Sequence, residues 1–342
     1  MTDRICVVPQ VQGVGGMVSF LHKFSTGARA RGVDVTNDLS VQDYSAVLVI
    51  GGTRQILPLL QLKRRGVRIV QRLDGLNWIQ RVRPISLRHS LRAEYGNLLL
   101  AYIRSTVADR IVYQSGFSHW WWDKRFGRVN KPFALIYNGV DLKVYSPAVP
   151  PAATLETPID IYRLLVVEGS LGGGYESGLE NAVRLAESLA ARGWRMEVQV
   201  VGEVSVALKS EWASKSSVPI GWNGLVKREA IPALDRSAHL LFSADVHPAC
   251  PNSVIEALAC GLPVVAFDTG SLTELVTPDT GYVGPYGSNS WKLEPPDVTG
   301  LALGAENVLK NWSAFSLAAR KRAQAVFGLE QMVDHYLEAL LG

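Results

Sequence analysis

The sequence has few cysteines, a modest share of charged residues and no long hydrophobic run. Its 342 residues include three cysteines, Cys6, Cys250 and Cys260, and 19% charged side chains. An odd number of cysteines without zinc-ligand spacing favours a reducing, cytoplasmic setting. The longest apolar runs, such as SAVLVIGG and NLLLAYI, fall far short of the roughly 20 residues that a spanning helix needs. The opening MTDRICVVP lacks the features of a signal peptide, so we expect a cytoplasmic protein.

Acidic residues are almost absent from one stretch, residues 63–92. It contains nine lysines and arginines but a single acid, Asp74, and it also carries Trp78 and Ile79. Such a stretch favours peripheral contact with an anionic membrane surface or a phosphorylated acceptor, or else it is a solvated helix and loop. The net charge of the whole chain is only +4, and no nucleic-acid-binding module is present. We therefore expect no nucleic acid partner.

The first part of the chain alternates short β-branched runs with amphipathic helical segments. Its predicted strands are DRICVVP, VDVTNDL, AVLVIGG, VRIVQRL, RIVYQS and FALIYNG. Continuous apolar strands between helices are typical of a parallel sheet that is covered on both faces. A glycine turn, QGVGG at 12–16, follows the first strand. It lacks the third glycine of a dinucleotide fingerprint, which counts against a nicotinamide-dependent oxidoreductase.

The alternation stops at residues 146–158, a linker rich in proline and alanine, and then starts again. The predicted fold class is therefore α/β, with two Rossmann-like doubly wound parallel-sheet domains, 1–148 and 159–328, facing a central cleft. A last amphipathic helix, 329–342, has apolar residues at helical spacing. We expect this helix to pack back on the first domain.

One segment, ACPNSVIEALACGLPVVAFDTG at 249–270, combines a helix start, a glycine stop and an apolar strand. Glu256 in this segment has two interpretations. It is half of a capping box, in which Ser253 and Glu256 exchange bonds with each other's backbone N–H groups. Alternatively, it points from the helix N-terminus toward a ligand that carries hydroxyls and phosphate.

Several motifs in one order resemble the group 1, or family 4, glycosyltransferases of GT-B fold, which include glycogen synthases and bacterial mannosyltransferases. They are IVYQSGFS (111–118), LIYNGVDLKVYSP (135–147), GWNGLVKREAIPALDRSAHLLFSAD (221–245), PNSVIEALACGLPVVAFDTGSLTELV (251–276) and FGLEQMVDHYLEAL. The resemblance implies metal-independent transfer of a hexose, with retention of configuration, from a nucleotide-diphosphate sugar to a saccharide or lipid-linked acceptor. It implies no cofactor beyond this co-substrate, and a role in cell-envelope polysaccharide synthesis.

The resemblance also implies site residues. Glu256 is expected on the ribose hydroxyls, the amides of Asn252 and Ser253 near the diphosphate, and the base near 222–225. A helix N-terminus suits a phosphate, because its unpaired N–H groups carry about half a positive charge. Gly15 and Gly16 are expected to line the cleft, because glycine lets a ligand approach the backbone closely.

Two departures from the family pattern concern the donor. Pro248 stands where the family usually has a second glutamate, which contacts the transferred sugar. Ser170 and Ser177 stand at the approximate positions of an arginine and a lysine that neutralise the leaving diphosphate. Preorganised donors of this kind are worth on the order of 3 kcal/mol each. Their loss favours an alternative, a catalytically reduced protein that still binds a sugar nucleotide.

Three compensating features are predicted. The backbone of GSLGGGY, starting at Gly169 and Ser170, can form a nest of N–H groups around a phosphate. Arg72, at the end of the fourth strand, is a candidate cation that reaches across the cleft. Asp74 lies near a histidine position of the family, where a carboxylate can accept a proton from a hydroxyl; alternatively, it is only a turn residue before Gly75.

Overall fold

The chain divides into two compact units. The structure, a computed structural model, describes residues 3–13, 15–40, 43–83, 86–148, 160–172 and 176–342. The first unit is Met1–Gly139 with Leu329–Gly342, and the second is Val140–Gly328. The predicted linker at 146–158 lies outside the described residues from 149 onward. Among the helices in the described ranges, none is both long enough and apolar enough to cross a membrane.

A parallel sheet forms the centre of the first unit. Its strands, in spatial order β2-β1-β3-β4-β5-β6, coincide with the apolar runs of the sequence, because β-branched side chains pack well on a sheet that is buried on both faces. They are β1 (Arg4–Val8), β2 (Asp34–Thr36), β3 (Ala46–Ile50), β4 (Arg68–Leu73), β5 (Arg110–Tyr113) and β6 (Phe133–Leu135). The predicted α/β class is confirmed for this unit.

Helices cover both faces of this sheet. They are α1 (Gly16–Ala30), α2 (Ile56–Arg64), α3 (Leu87–Tyr102), α4 (Gly116–Phe126) and the C-terminal α12 (Leu329–Leu341). Helix α12 packs against α1, with the Tyr336 ring 4.8 Å from that of Phe20 and 5.8 Å from that of Phe24. Gly27 permits this approach, since a Cβ there would lie 2.6 Å from Val333.

The second unit has its own parallel sheet, in spatial order β12-β11-β10-β7-β8-β9. Its strands are β7 (Tyr162–Ser170), β8 (Met196–Glu203), β9 (Ile220–Gly224), β10 (Leu240–Phe242), β11 (Val264–Phe267) and β12 (Gly281–Gly284). This is the Rossmann order, in which the chain reverses direction across the sheet between the first and fourth strands. Here the reversal lies between β7 and β10, which pair directly.

Seven helices in the described part of the second unit flank the sheet. They are α5 (Glu176–Ala191), α6 (Val206–Lys215), α7 (Ile231–Ser237), α8 (Asn252–Ala259), α9 (Leu272–Leu275), α10 (Val298–Lys310) and α11 (Trp312–Val326). Leucines of α5 and α10 pack on one face of the sheet and form the main core of the unit.

The run of three tryptophans on α4 divides between the core and the surface. Trp121 and Trp122 are buried, whereas Trp120 is exposed. Successive helical residues are about 100° apart, so three consecutive tryptophans cannot all face the core.

Candidate active site

Two carboxylates stand at the point where the second sheet reverses direction. Glu168 lies near the end of β7, and Asp245 follows β10. They line a cavity of about 140 Å³ together with Ser170, Leu171 and Ala244. Ligands of open α/β sheets bind in this kind of place, outside the carboxyl ends of the strands. Ser170, one of the predicted donor-binding residues, lies in the cavity wall. Gly169, another of them, precedes Ser170, and a Cβ built on Gly169 would have no atom of a described residue within 4 Å.

Burial and mutual repulsion make this pair hard to ionise. Burial, and then the charge of Asp245, raise the pKa of Glu168 to about 8, although backbone N–H groups of Ala244 and Asp245 partly oppose the shift. Burial raises the pKa of Asp245 to about 6. Glu168 therefore retains its proton near neutral pH while Asp245 ionises, so the pair carries about one negative charge rather than two.

Sequence reasoning missed this pair, although the signal was present. Each acid directly follows or ends a predicted strand, in YRLLVVEG and HLLFSAD. In the Rossmann order the first and fourth strands of a domain are neighbours. The two acids were therefore bound to meet at one edge of the sheet.

The cavity wall contains no arginine or lysine among the residues that the structure describes. Ser177 is half-buried in the first turn of α5. Gly178 beside it touches the opposite wall, since a Cβ there would lie 2.7 Å from the carbonyl oxygen of Ala244. Residues 173–175, part of the predicted phosphate nest, lie outside the described residues.

Helix α8 begins two residues earlier than the capping-box interpretation requires, since that interpretation makes Ser253 the N-cap. Pro251 is its N-cap in an extended conformation, and no side chain makes a capping bond. The capping-box prediction for Ser253 and Glu256 is therefore wrong. The first intrahelical bond runs from the N–H of Ile255 to the carbonyl of Pro251 at 3.4 Å. The N–H groups of Asn252, Ser253 and Val254 thus have no acceptor within the helix.

Glu256 lies one turn into α8 and is only 8% exposed. It belongs to a buried polar cluster with Asp235, Cys260 and the Tyr145 hydroxyl. Burial and then the charge of Glu256 raise the pKa values of Asp235 and Tyr145. Asp235 is 2% exposed, and apart from the weak thiol donor of Cys260 its oxygens have no hydrogen-bond partner among the residues that the structure describes. Glu256 thus lies in a buried position, where an ionised carboxylate costs free energy unless it accepts hydrogen bonds.

Pro248, at the position of the family's other glutamate, has a structural role. Its carbonyl accepts a hydrogen bond from the N–H of Ser271 at 2.9 Å. Gly270 lies against it with a φ of +61°, and a Cβ there would be 2.5 Å from the backbone of Pro248. His247 before it stacks on Trp291, with ring centroids 3.6 Å apart, and burial lowers the pKa of this histidine to about 4.

The predicted residues of the first unit lie after β1 and at the end of β4. Gly15 is the N-cap of α1 with a φ of +144°, a conformation that favours glycine, and Gly16 is exposed as the first helical residue. Val14 lies outside the described residues. Arg72 is 2% exposed, donates from Nη2 to Oδ1 of Asn138 at 2.9 Å and lies 4.0 Å over the ring of Phe20.

Asp74 is half-buried just beyond β4. Its carbonyl accepts hydrogen bonds from the Ser118 hydroxyl and from Nε1 of Trp122, both at 2.8 Å. Burial raises the pKa of the Asp74 carboxyl, and the charge of Arg72 lowers it in part. These contacts hold the backbone of Asp74 in place and leave its carboxyl as a weak acid, as a proton acceptor or donor requires.

Metal ligands are not grouped in the part of the chain that the structure describes: no three histidines, cysteines or acids there are placed to hold an ion. Two of the histidines have packing partners instead. His247 and His239 each pack against a tryptophan.

Comparisons with known proteins agree with this geometry. Residues 163–311 match the family model of the group 1 glycosyl transferases. A GDP-mannose-dependent α-(1-6)-phosphatidylinositol dimannoside mannosyltransferase of Mycobacterium tuberculosis is 29% identical over 177 residues, which are 51% of this chain and 44% of that protein. The chain thus aligns with less than half the length of this relative.

Solved structures resemble the chain over nearly its whole length. The sucrose-phosphate synthase of Thermosynechococcus elongatus has a TM-score of 0.74 and 16% identity, and the match covers 98% of each chain. Anabaena HepE, in complex with UDP and glucose, has a TM-score of 0.72 and 16% identity over 99% of each chain. Identity at this level shows a common fold. The fold is thus the two-domain α/β fold of these glycosyltransferases, and residues 163–311 within it match the group 1 glycosyl transferases.

Proposed function

We propose that the protein transfers a hexose from a nucleotide-diphosphate sugar to a hydroxyl of a saccharide or lipid-linked acceptor. The observation that carries this proposal is the start of α8, where three backbone N–H groups without helical acceptors precede the buried carboxylate of Glu256. The N–H groups suit a diphosphate, and a carboxylate can accept two hydroxyls of a ribose. This segment lies inside the region that matches the family model.

Two relatives support a nucleotide-sugar donor. The mycobacterial relative is a GDP-mannose-dependent enzyme, and HepE has been crystallised with UDP-glucose. We propose the same class of donor for this chain, and retention of anomeric configuration with no requirement for a metal. In the first unit, we propose that Asp74 exchanges a proton with a hydroxyl of the acceptor or sugar. We also propose that the charge of Arg72 lowers the pKa of Asp74.

Calorimetric titration with UDP-glucose, GDP-mannose, UDP and GDP tests the donor site. We expect one of these ligands to bind, and Glu256→Gln to weaken that binding by roughly tenfold to a hundredfold, since a neutral amide replaces a charged acceptor. The same substitution removes the repulsion between Glu256 and Asp235, so stability should not fall. Glu211→Gln, at an exposed acid on α6 of the same unit, is the matched control.

Binding that is unchanged in Glu256→Gln would contradict the proposed site. Proton NMR of the product gives its anomeric configuration, and turnover in excess chelator tests the independence from metal. An inverted product, or activity lost to the chelator, would refute those parts of the proposal.

A second candidate, a sugar-nucleotide-binding protein with reduced catalysis, is favoured by the acidic cavity. The family places two cations near the diphosphate, whereas this chain has Ser170 and Ser177 at the approximate positions, and Ser170 shares its cavity with Glu168 and Asp245. Without cations the leaving phosphate is poorly stabilised. Tight donor binding without hydrolysis or transfer, over a panel of sugars and acceptors, would support this candidate.

A further inference from the structure

Helix α3 presents an apolar stripe to solvent. The residues Leu87, Leu91, Tyr95, Leu98 and Tyr102 are between 43% and 74% exposed. At about 100° per residue they fall within an arc of about 80° on one side of the helix. Single exposed leucines are ordinary on a protein surface, but five aligned side chains along one helix form a continuous apolar face.

Polar contacts beside the stripe fix α3 to the first unit. Asn97 is buried, accepts from the N–H of Asn77 at 3.0 Å and donates to its carbonyl at 2.8 Å. Glu94 receives two hydrogen bonds from Arg81, at 2.7 Å and 2.6 Å. The helix therefore cannot roll to bury its stripe without breaking these bonds.

Basic side chains border the stripe. Arg88 and Arg92 lie on one flank, both are exposed, and neither has a hydrogen bond or ion pair with any residue that the structure describes. On the other flank the charge of Glu94 is neutralised by Arg81. The border of the stripe is thus positive, which complements an anionic surface rather than a neutral or basic one.

The apolar residues expected to contact a membrane, Trp78 and Ile79, are not available for that contact. Trp78 and Ile79, the apolar residues within the basic stretch 63–92, are buried with exposures of 7% and 6%. They cannot enter a lipid surface without unfolding of that segment. The apolar component of the surface lies instead on α3, which continues ten residues past the end of the basic stretch.

We propose that the α3 stripe docks on the surface of an anionic lipid bilayer, with the leucines and tyrosines at the level of the acyl chain boundary and the arginines on lipid phosphates. An amphipathic helix with one apolar side, aromatic residues and arginines at the border is the form that lies in a membrane interface. Tyrosine suits that depth because its ring is apolar and its hydroxyl stays wet. The proposal does not depend on the identity of the sugar donor.

Flotation of the full chain with vesicles tests the proposal. We expect binding to vesicles of phosphatidylcholine and phosphatidylglycerol in equal parts, weaker binding to phosphatidylcholine alone, and a loss of affinity as salt screens the arginines. Leu91→Gln with Leu98→Gln should weaken binding roughly tenfold or more. Arg88→Gln with Arg92→Gln should weaken it roughly tenfold and remove most of the salt dependence.

The matched control is Leu317→Gln with Lys321→Gln, an exposed leucine and an exposed lysine one turn apart on α11 of the second unit. It should bind vesicles like the parent chain. Melting curves of all variants should be alike, since exposed side chains contribute little to stability.

Three results would overturn the proposal. They are no binding of the parent chain to anionic vesicles at low salt, equal binding of the leucine variants, and equal loss in the α11 control. The main alternative is that a second copy of the chain covers the stripe. Sedimentation of the protein without vesicles distinguishes this alternative from lipid binding. A dimer that Leu91→Gln with Leu98→Gln dissociates, together with no vesicle binding, would assign the stripe to self-association instead.

Discussion

The substitution Gly178→Ala tests how closely α5 approaches the wall of the cavity. A Cβ at residue 178 would lie 2.7 Å from the carbonyl oxygen of Ala244 and 2.9 Å from its Cβ. Carbon atoms pack at about 3.5–4.0 Å, so the helix or the loop after β10 must move by several tenths of an ångström. Overpacking of this kind costs about 1–3 kcal/mol, and alanine returns up to about 1 kcal/mol in helix propensity.

We therefore expect Gly178→Ala to lower the free energy of unfolding by about 1–2 kcal/mol, or the Tm by a few degrees. Urea denaturation followed by tryptophan fluorescence measures the change. The control is Gly96→Ala on α3, where the nearest atom to a new Cβ is Nδ2 of Asn77 at 3.6 Å, an ordinary contact. That variant should gain about 0.5–1 kcal/mol from helix propensity.

Equal stabilisation by both glycine substitutions would contradict a close contact between α5 and the loop after β10. In that case the approach of α5 to Ala244 is not as close as the structure describes. If Gly178→Ala is destabilised, donor affinity should fall with it, because Ala244 is part of the cavity wall.

Three further predictions concern charged groups. The pKa of Glu168 is raised from 4.5 to about 8, so its contribution to stability is complete below its ordinary pKa and is lost as the pH rises through about 8. Glu168→Gln should flatten this decline in stability. Urea midpoints measured from about pH 5 to about pH 9 check the prediction. Arg72→Lys should cost the first unit about 1–3 kcal/mol in denaturation experiments, because a lysine cannot both donate to Asn138 and stack on Phe20. Arg320→Met should destabilise the second unit by about 2–4 kcal/mol in calorimetry, because the carbonyls of Tyr145, Ala259 and Leu142 lose their donor.

The strands could be predicted from the sequence because burial on both faces leaves a plain signal. Runs such as AVLVI at 46–50 contain only apolar residues, and each residue of that strand is buried. The C-terminal helix gave an equally clear signal, since its predicted apolar residues Met332, Tyr336 and Leu340 are all buried. Periodicity therefore identified both the sheets and the apolar face of α12.

Other features could not be predicted because they depend on register or on contacts distant in sequence. The sequence Ser253-x-x-Glu256 fits a capping box, but the extended Pro251 starts α8 earlier and removes that pairing. Likewise, Trp78 next to a basic stretch suggested an exposed aromatic, and only tertiary packing shows it to be buried. The positions of Asp74, Gly15 and the donor residues relative to a ligand stay predictions.

The return of α12 to the first unit has a consequence for biosynthesis. Because Leu329–Gly342 belong to the first unit, that unit lacks part of its core until residues 329–342 have left the ribosome. The second unit, Val140–Gly328, is continuous and can fold earlier. Its two ends pair with each other, with the N–H of Val140 bonded to the carbonyl of Phe327 at 2.8 Å. Deletion of α12 should therefore impair maturation of the first unit and spare the second unit.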